Sequence, residues 1–429
     1  MGNQKKRKYS ALVILLLCTL LSLPLHVAAV DENTGTAVVT KLTLDKSIDM
    51  ASQYTHKFVE LDQTIKSMWD QHTDLLNMSN NIQQQLDALN TFTSLYEKMQ
   101  KGTALTLLEQ MEFQAYVSVF GSVPPRYSSE DMFNNFIKNR DFPHYAIWGS
   151  IQDLKESKDA GQSALAGGIR QLYDQILGLQ DAVGLQQGLY DLMDKQNTQL
   201  VLKYNQGQAS ELDKYVSEVG LQQQKLAVSK LQRTLTNVEM VFKQQIGVPL
   251  NQEIVLELHS LDDGTKELPP YDGFLKSALD KRSEIVNAKM DLQVKQRELD
   301  IMKQYILNDK LVDRMDEQAS VDDKTIALTE AINNVTSDVY TGYEDTKTKQ
   351  QDVAIALRKK SNADRQCKDV IVEYNNGTIP LSALWSVEFQ QAQAEMGYNS
   401  ALRDYNSALY KLGQASGIGP AYNTGTGGN

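Results

Sequence analysis

Apolar residues recur along this chain at helical spacing, in narrow stripes on otherwise polar segments. Leu165, Ile169, Leu172, Ile176, Leu179 and Val183 step by 4, 3, 4, 3, 4, and Tyr398, Leu402, Tyr405, Leu409 and Leu412 step by 4, 3, 4, 3. Leu231, Leu235, Val238 and Phe242 carry the same rhythm. Such a stripe is the seam of a coiled-coil-like helix, which buries one edge against a partner and leaves its other faces wet. Proline agrees: there are nine, and residues 144–248 and 271–379 contain none. Stretches of that length suit very long helices, because an interior proline breaks the hydrogen-bond ladder. The pattern predicts a mainly all-α chain of long antiparallel helical hairpins, with at most short strands near Ala37–Val39 and Ile254–Leu258.

The hairpins come as an internal repeat. Tyr204-Asn-Gln-Gly207-Gln-Ala-Ser210 is matched 170 residues later by Tyr374-Asn-Asn-Gly377-Thr-Ile-Pro380. The same offset carries Tyr215 onto Trp385, Val219 onto Phe389, and Gly247-Val248 onto Gly417-Ile418. Each copy is a glycine turn, then a helix that ends about forty residues on at a second glycine. Gly207 and Gly377 suit the left-handed residue that closes a helix. Ser210 offers an N-cap oxygen, with Asp213 favouring the positive end of the next helix. Thr378 is expected to cap in the second copy, with Pro380 in the first turn. The helix entering the first turn is expected over 163–203, about 60 Å long.

The start of each half is matched by Lys46-Ser47-Ile48 and Lys276-Ser277-Ala278, an offset of 230. The first half then holds extra residues, placed at about 101–162. This insert carries Pro124, Pro125, Pro143 and five of the ten phenylalanines. Phe113, Tyr116, Phe120, Phe133, Phe136, Phe142, Tyr145 and Trp148 form either a local core capping the helices or a contact for a membrane or partner. The domains read as 1–29, 30–262 (first repeat with its insert), 263–418 (second repeat) and a glycine-rich tail over 419–429, loose from Gly413 on.

Residues 1–29 read as a secretory leader. Lys5-Lys6-Arg7-Lys8 precedes the apolar run Ala11–Leu25, and Val27-Ala28-Ala29 supplies small residues for cleavage. The alternative, an uncleaved anchor, has an apolar core short of the ~20 residues of a spanning helix. An exported chain at the cell envelope is expected.

Charge and reactive residues narrow the function further. The net charge is −11, with 43 Lys and Arg against 54 Asp and Glu, a poor footing for binding a phosphate backbone. With two cysteines, Cys18 in the leader and Cys367 in a helical pattern beside Ile371, neither a disulfide nor a multi-cysteine metal site is expected. The five histidines, at 26, 56, 72, 144 and 259, show no helical pairing, so no metal site is read. There is no phosphate-cradling glycine loop and no Gly-x-Ser-x-Gly. No catalytic residue, cofactor or enzyme activity is expected.

At Tyr204–Val248 and Tyr374–Ile418 the chain resembles the TolC-like outer-membrane efflux family, with Leu44–Ala51 similar to the family's opening helix. That resemblance implies a homotrimer whose hairpins form a hollow periplasmic cylinder, with four barrel strands per chain in the outer membrane. It implies passive conduction of exported solutes. The tip residues Tyr204, Gly207, Gln208, Tyr374, Gly377 and Thr378 would dock on a periplasmic adaptor and inner-membrane pump. Asp213 and Tyr374 would lie at the tunnel mouth. Three positions depart from the family's pattern: Ile379 stands where its tip network has arginine, and Ala383 and Ser386 where its tunnel aspartates fall. The second strand pair belongs between Met290 and Thr346, but that stretch reads helical and acidic, so no barrel hairpin is expected there. In the first half Ala115–Val123 reads as one strand ahead of Pro124. A secreted coiled-coil structural protein of the same descent, without channel activity, is the alternative.

Overall fold

A computed structural model describes residues 40–258, 261–308 and 311–417. The leader, Ala37–Val39 and the 419–429 tail lie outside the described residues.

The elements run β1 (Thr40–Leu42), α1 (Leu44–Tyr54), α2 (His56–Gln100), α3 (Leu107–Phe120), α4 (Ser129–Met132), a π-helical turn (Phe133–Ile137), α5 (Lys138–Asn205), α6 (Glu211–Gln245), β2 (Ile254–Leu256), α7 (Tyr271–Lys281), α8 (Ser283–Tyr305), α9 (Val312–Asn375) and α10 (Leu381–Ala415). Among the described residues the only strands are β1 and β2. They pair in parallel, Thr40 opposite Ile254 and Leu42 opposite Leu256.

Helices α5 and α6 form one antiparallel hairpin and α9 and α10 the other; α5 and α10 then pack side by side. The hairpin layer therefore runs α6–α5–α10–α9, with α6 and α9 at its edges. Contacts along α5 and α10 fix their antiparallel register. Lys195 lies over the Trp385 ring at 5.4 Å, Arg403 pairs with Asp181 at 3.0 Å, and Gln414 donates to the Ser163 carbonyl at 3.0 Å. Both glycine tips thus lie at one end.

Each half has its own core midway along. The first joins Leu42, Leu44, Ala51, Ile169, Tyr173, Ile176 and Phe242; the second joins Phe274, Ala278, Ile285, Val335, Val339 and Leu412. The 170-residue offset extends into these cores, because Ile169 maps onto Val339, Tyr173 onto Tyr343 and Phe242 onto Leu412. The Tyr173 hydroxyl, itself fully buried, lies against the carbonyl oxygens of Leu42 (2.9 Å) and Glu257, tying α5 to the sheet.

The opening helices align differently from the sequence reading. Helices α1 and α7 both have 11 residues and end at extended Thr55 and Arg282. That places Ala51 opposite Ala278, both fully buried, at an offset of 227 rather than 230. A shift of three returns nearly the same helix face, so periodicity alone could not separate the two registers.

Three further expectations are corrected. Helix α5 starts at Lys138, not 163, and has 68 residues, about 100 Å at 1.5 Å per residue. It continues through Pro143 because it packs along α2, through Lys158–Asp62 at 2.6 Å and contact between Arg140 and Gln83. Residues 115–120 are helical in α3, not a strand: Phe113, Tyr116, Val117 and Phe120 share the face that packs on Phe92 and Leu95 of α2. Gly413 lies inside α10, and Leu412 and Ser416 are fully buried.

The aromatic insert builds two cores at the end opposite the tips. Phe113, Tyr116 and Phe120 cluster on α2, while Phe133 and Ile137 join Leu86, Met302 and Ile306.

Candidate functional site

The two tips share one backbone design. At the first, the Gly207 N–H donates to the Tyr204 carbonyl (2.9 Å) and the Gln208 N–H to the Lys203 carbonyl (2.8 Å). At the second, the Gly377 N–H donates to the Tyr374 carbonyl (2.9 Å) and the Thr378 N–H to the Glu373 carbonyl (3.0 Å). The glycines have φ of +72° and +71°. This paired closure satisfies the last helix carbonyls and requires the left-handed region, where a Cβ is strained.

The tips then diverge. Ser210 caps α6 in a full capping box: its hydroxyl accepts from the Asp213 N–H at 3.1 Å and donates to the Asp213 carboxylate at 2.6 Å. That hydroxyl holds the Asp213 carboxyl below its ordinary range. Thr378 does not cap α10, contrary to expectation. The N-cap is Pro380, and the Thr378 hydroxyl donates backwards to Glu373 at 2.7 Å. Tyr204 is half-buried beneath Lys214, whose ammonium lies 5.1 Å from the ring, and Tyr374 is half-buried at the end of α9. Asp213 is thus engaged within its own tip.

Exposed apolar residues surround the tips and were missed by attending only to the glycines' neighbours. Leu202, Leu212, Tyr215, Val216 and Val372 are between 57% and 69% exposed. Further up, edge helix α6 exposes Leu226, and edge helix α9 exposes Ile355 and Tyr340. The signal was present in the sequence: Leu212, Val216, Val219 and Leu226 step by 4, 3 and 7 on α6, outside the seam facing α5.

Between the hairpins, α5 and α10 part around a groove of about 580 Å³. Its α5 side has Gly184 and Gly188, where a Cβ would meet nothing within 4 Å. Trp385, Phe389 and Ala392 face it from α10. Towards the molecule's middle, Arg170 and Asp174 lie 3.9 Å apart, nearly buried, and the Arg170 guanidinium stacks at 4.9 Å over Tyr410. Burial pushes the Asp174 carboxyl up to about 6 despite Arg170 and Arg403.

Chemistry-bearing residues are sparse. Cys367 is 3% exposed, and burial raises its thiol. His72 and His144, which no sequence spacing links, meet from α2 and α5 with ring centroids 6.1 Å apart. Among the described residues no group of three or more His, Cys, Asp or Glu could hold a metal ion. No described helix is long and apolar enough to cross a membrane.

Two equivalent long hairpins, laid side by side with both tips at one end, define a TolC-like fold lacking barrel strands among the described residues. Comparison with solved structures agrees. The chain is similar to a membrane protein from Pseudomonas aeruginosa at 11% identity, covering 87% of this chain and 93% of that one with a TM-score of 0.58. It is similar to the outer-membrane channel OprN at 11% identity, covering 89% and 90% with a TM-score of 0.57. The open state of the Neisseria gonorrhoeae outer-membrane channel MtrE matches at 12% identity, covering 87% and 88% with a TM-score of 0.54. No family model and no curated protein matches the sequence. The shared property is the fold; these neighbours are a membrane protein and two outer-membrane channels.

Proposed function

We propose that this protein is a TolC-like export component of the cell envelope. It assembles, as a homotrimer, into a helical conduit for the passive passage of exported solutes. The observation that carries the reading is the layer α6–α5–α10–α9, whose edge helices carry exposed apolar residues: Leu212, Val216 and Leu226 on α6, Ile355 and Tyr340 on α9. A monomer gains nothing by exposing these, whereas copies meeting α6 to α9 bury them around a closed ring. The tips at Gly207 and Gly377, with Leu202, Leu212, Tyr215 and Val372 beside them, are the docking end for an adaptor and inner-membrane pump. In this reading 30–262 and 263–418 are the two repeats, each built on one hairpin, and a signal at 1–29 directs export.

Mass measurement across a concentration series tests assembly. A trimer is expected, and Leu212→Glu with Val216→Glu should shift it to monomer. A strict monomer at high concentration overturns the conduit. A second reading, an envelope structural protein of the same fold, is favoured by one observation: the described strands are three residues each, against the ~10 of a barrel strand. Trimers without conductance in liposomes would support it.

A further inference from the structure

Helix α3 is apolar on two faces, and only one is used. Phe113, Tyr116, Val117 and Phe120 pack on α2, with the Phe92 and Phe113 rings 5.4 Å apart. On the opposite face Leu107, Leu108, Met111 and Val119 are 78%, 70%, 68% and 73% exposed, and Val123 just beyond is 54% exposed. At 100° per residue, Leu107, Met111, Ala115, Leu108 and Val119 fall within an arc of about 120°. Glu112 at its rim is the nearest charge. The other acid of the helix, Glu109, is turned away and engaged by the Thr106 cap and by Lys98 at 2.6 Å.

We propose that α3 is a membrane-surface docking helix, seating this arc in the interfacial layer of a lipid bilayer. Size and charge choose lipid over a second copy of the chain. A specific protein interface takes about 20–30 residues a side, and a 14-residue helix offering one arc of five falls well short. A bilayer needs no complementary shape, and affinity grows with each methylene it takes up. The arc is also flanked in sequence by two exposed basic residues, Lys101 after α2, which reaches Glu97 at 3.8 Å, and Arg126 after α3, with Tyr127 next to Arg126 and 38% exposed. Cations matching lipid phosphates and an amphipathic ring at headgroup level are what an interface accepts. The docking does not require the conduit.

Flotation with phosphatidylcholine vesicles, using protein purified from the exported fraction, tests this. The wild type should float, and Leu108→Ser, Met111→Ser and Val119→Ser together should weaken vesicle binding ~10-fold or more with the helical melting curve unchanged. Ser118 lies inside the arc, so Ser118→Cys bearing an environment-sensitive dye should shift to the blue with vesicles; buried Cys367 is the unlabelled control. The proposal is overturned if the wild type stays with the soluble fraction, or if the triple variant floats equally well. It is also overturned if the triple variant changes only oligomer size without lipid, which would assign the arc to a second copy. Variants at Leu212 and Val216 leave α3 intact, so loss of assembly and loss of docking are read separately.

Discussion

Four glycines hold the left-handed region at equivalent points, 207 and 377 at the tips, 247 and 417 at the inner ends of α6 and α10. Their surroundings predict unequal costs for one methyl group. At Gly207 an alanine Cβ would meet nothing within 4 Å. Only the left-handed penalty remains, roughly 1–2 kcal/mol, offset by about 0.4–1 kcal/mol from a stiffer unfolded chain. At Gly247 the Cβ would lie 2.4 Å from Tyr54 Cδ2 and 2.7 Å from its Cγ. Because Cγ is on the ring axis, ring rotation cannot clear the overlap, and Tyr54 must change its first torsion or α1 must shift. Overpacking of this kind costs about 1–3 kcal/mol. At Gly417 the Cβ would lie 3.0 Å from Lys281 Cβ and 3.5 Å from the Arg282 nitrogen, so main chain must give way. Urea melts followed by helical circular dichroism should rank Gly207→Ala and Gly377→Ala as mild, and Gly247→Ala and Gly417→Ala as worse by about 1–3 kcal/mol. Tyr54 is 39% exposed, so Tyr54→Ala should bring Gly247→Ala back to the level of Gly207→Ala. Equal midpoints for 207 and 247, or no relief from Tyr54→Ala, would refute this account of the elbow.

The remaining predictions concern packing and pH. Gly184→Ala and Gly188→Ala should each stabilise the chain by roughly 0.5–1 kcal/mol, since alanine loses less backbone entropy on folding than glycine and the groove has room; destabilisation would mean that the groove closes. Tyr173→Phe, which removes the hydroxyl between the Leu42 and Glu257 carbonyls, should cost about 1–3 kcal/mol and loosen β1–β2 in hydrogen exchange. Burial, with Asp153 and Glu284 adding repulsion, pushes the Glu156 carboxyl from 4.5 up to about 7. The native state therefore holds this proton more tightly than the unfolded one, and the stability it contributes is lost as pH rises through 7. Glu156→Gln should raise the urea midpoint at pH 8.5 and leave it unchanged at pH 4; an unaltered pH slope would remove Glu156 from the explanation.

What the sequence made legible was local or periodic. The tips were, because a left-handed glycine and a capping serine act within six residues of each other. The seams were, because helix period is written in apolar spacing. The start of α5 was not: Pro143 argues for a break, and what overrides it is α2, whose Asp62 and Gln83 sit 96 and 57 residues away from their partners. The meeting of His72 with His144 was hidden for the same reason. Residues 115–123, which run over the end of α3, read as a strand because apolar side chains on both faces of the helix blur its period. Thr378 was misplaced as a cap because its hydroxyl has two backbone options, and Pro380 already sets the extended entry to α10. The docking and tunnel roles proposed for the tip residues would have no local signature, since they would depend on partners outside the chain.

The two halves agree at the tips and in the middle and differ at the far end. The sequence repeat keeps a 170-residue register from Ile169 and Val339 through to Gly247 and Gly417, while the opening helices stand 227 apart. Of these 57 surplus residues (227 − 170), 22 lengthen α2, which has 45 residues against 23 in α8, and most of the rest lie in α3, α4 and the π-helical turn. A wall built from paired hairpins must keep its register, because each seam residue meets a partner on the neighbouring helix. The far end bears no such constraint, so one half can carry a docking helix that the other lacks. One such helix is a modest anchor, as a single lipid chain is. Three copies in a ring would present three α3 helices on one side, and linked weak contacts can exceed either one alone by about 10²–10⁴. Assembly through α6 and α9 would then multiply the modest membrane affinity of a single α3 helix.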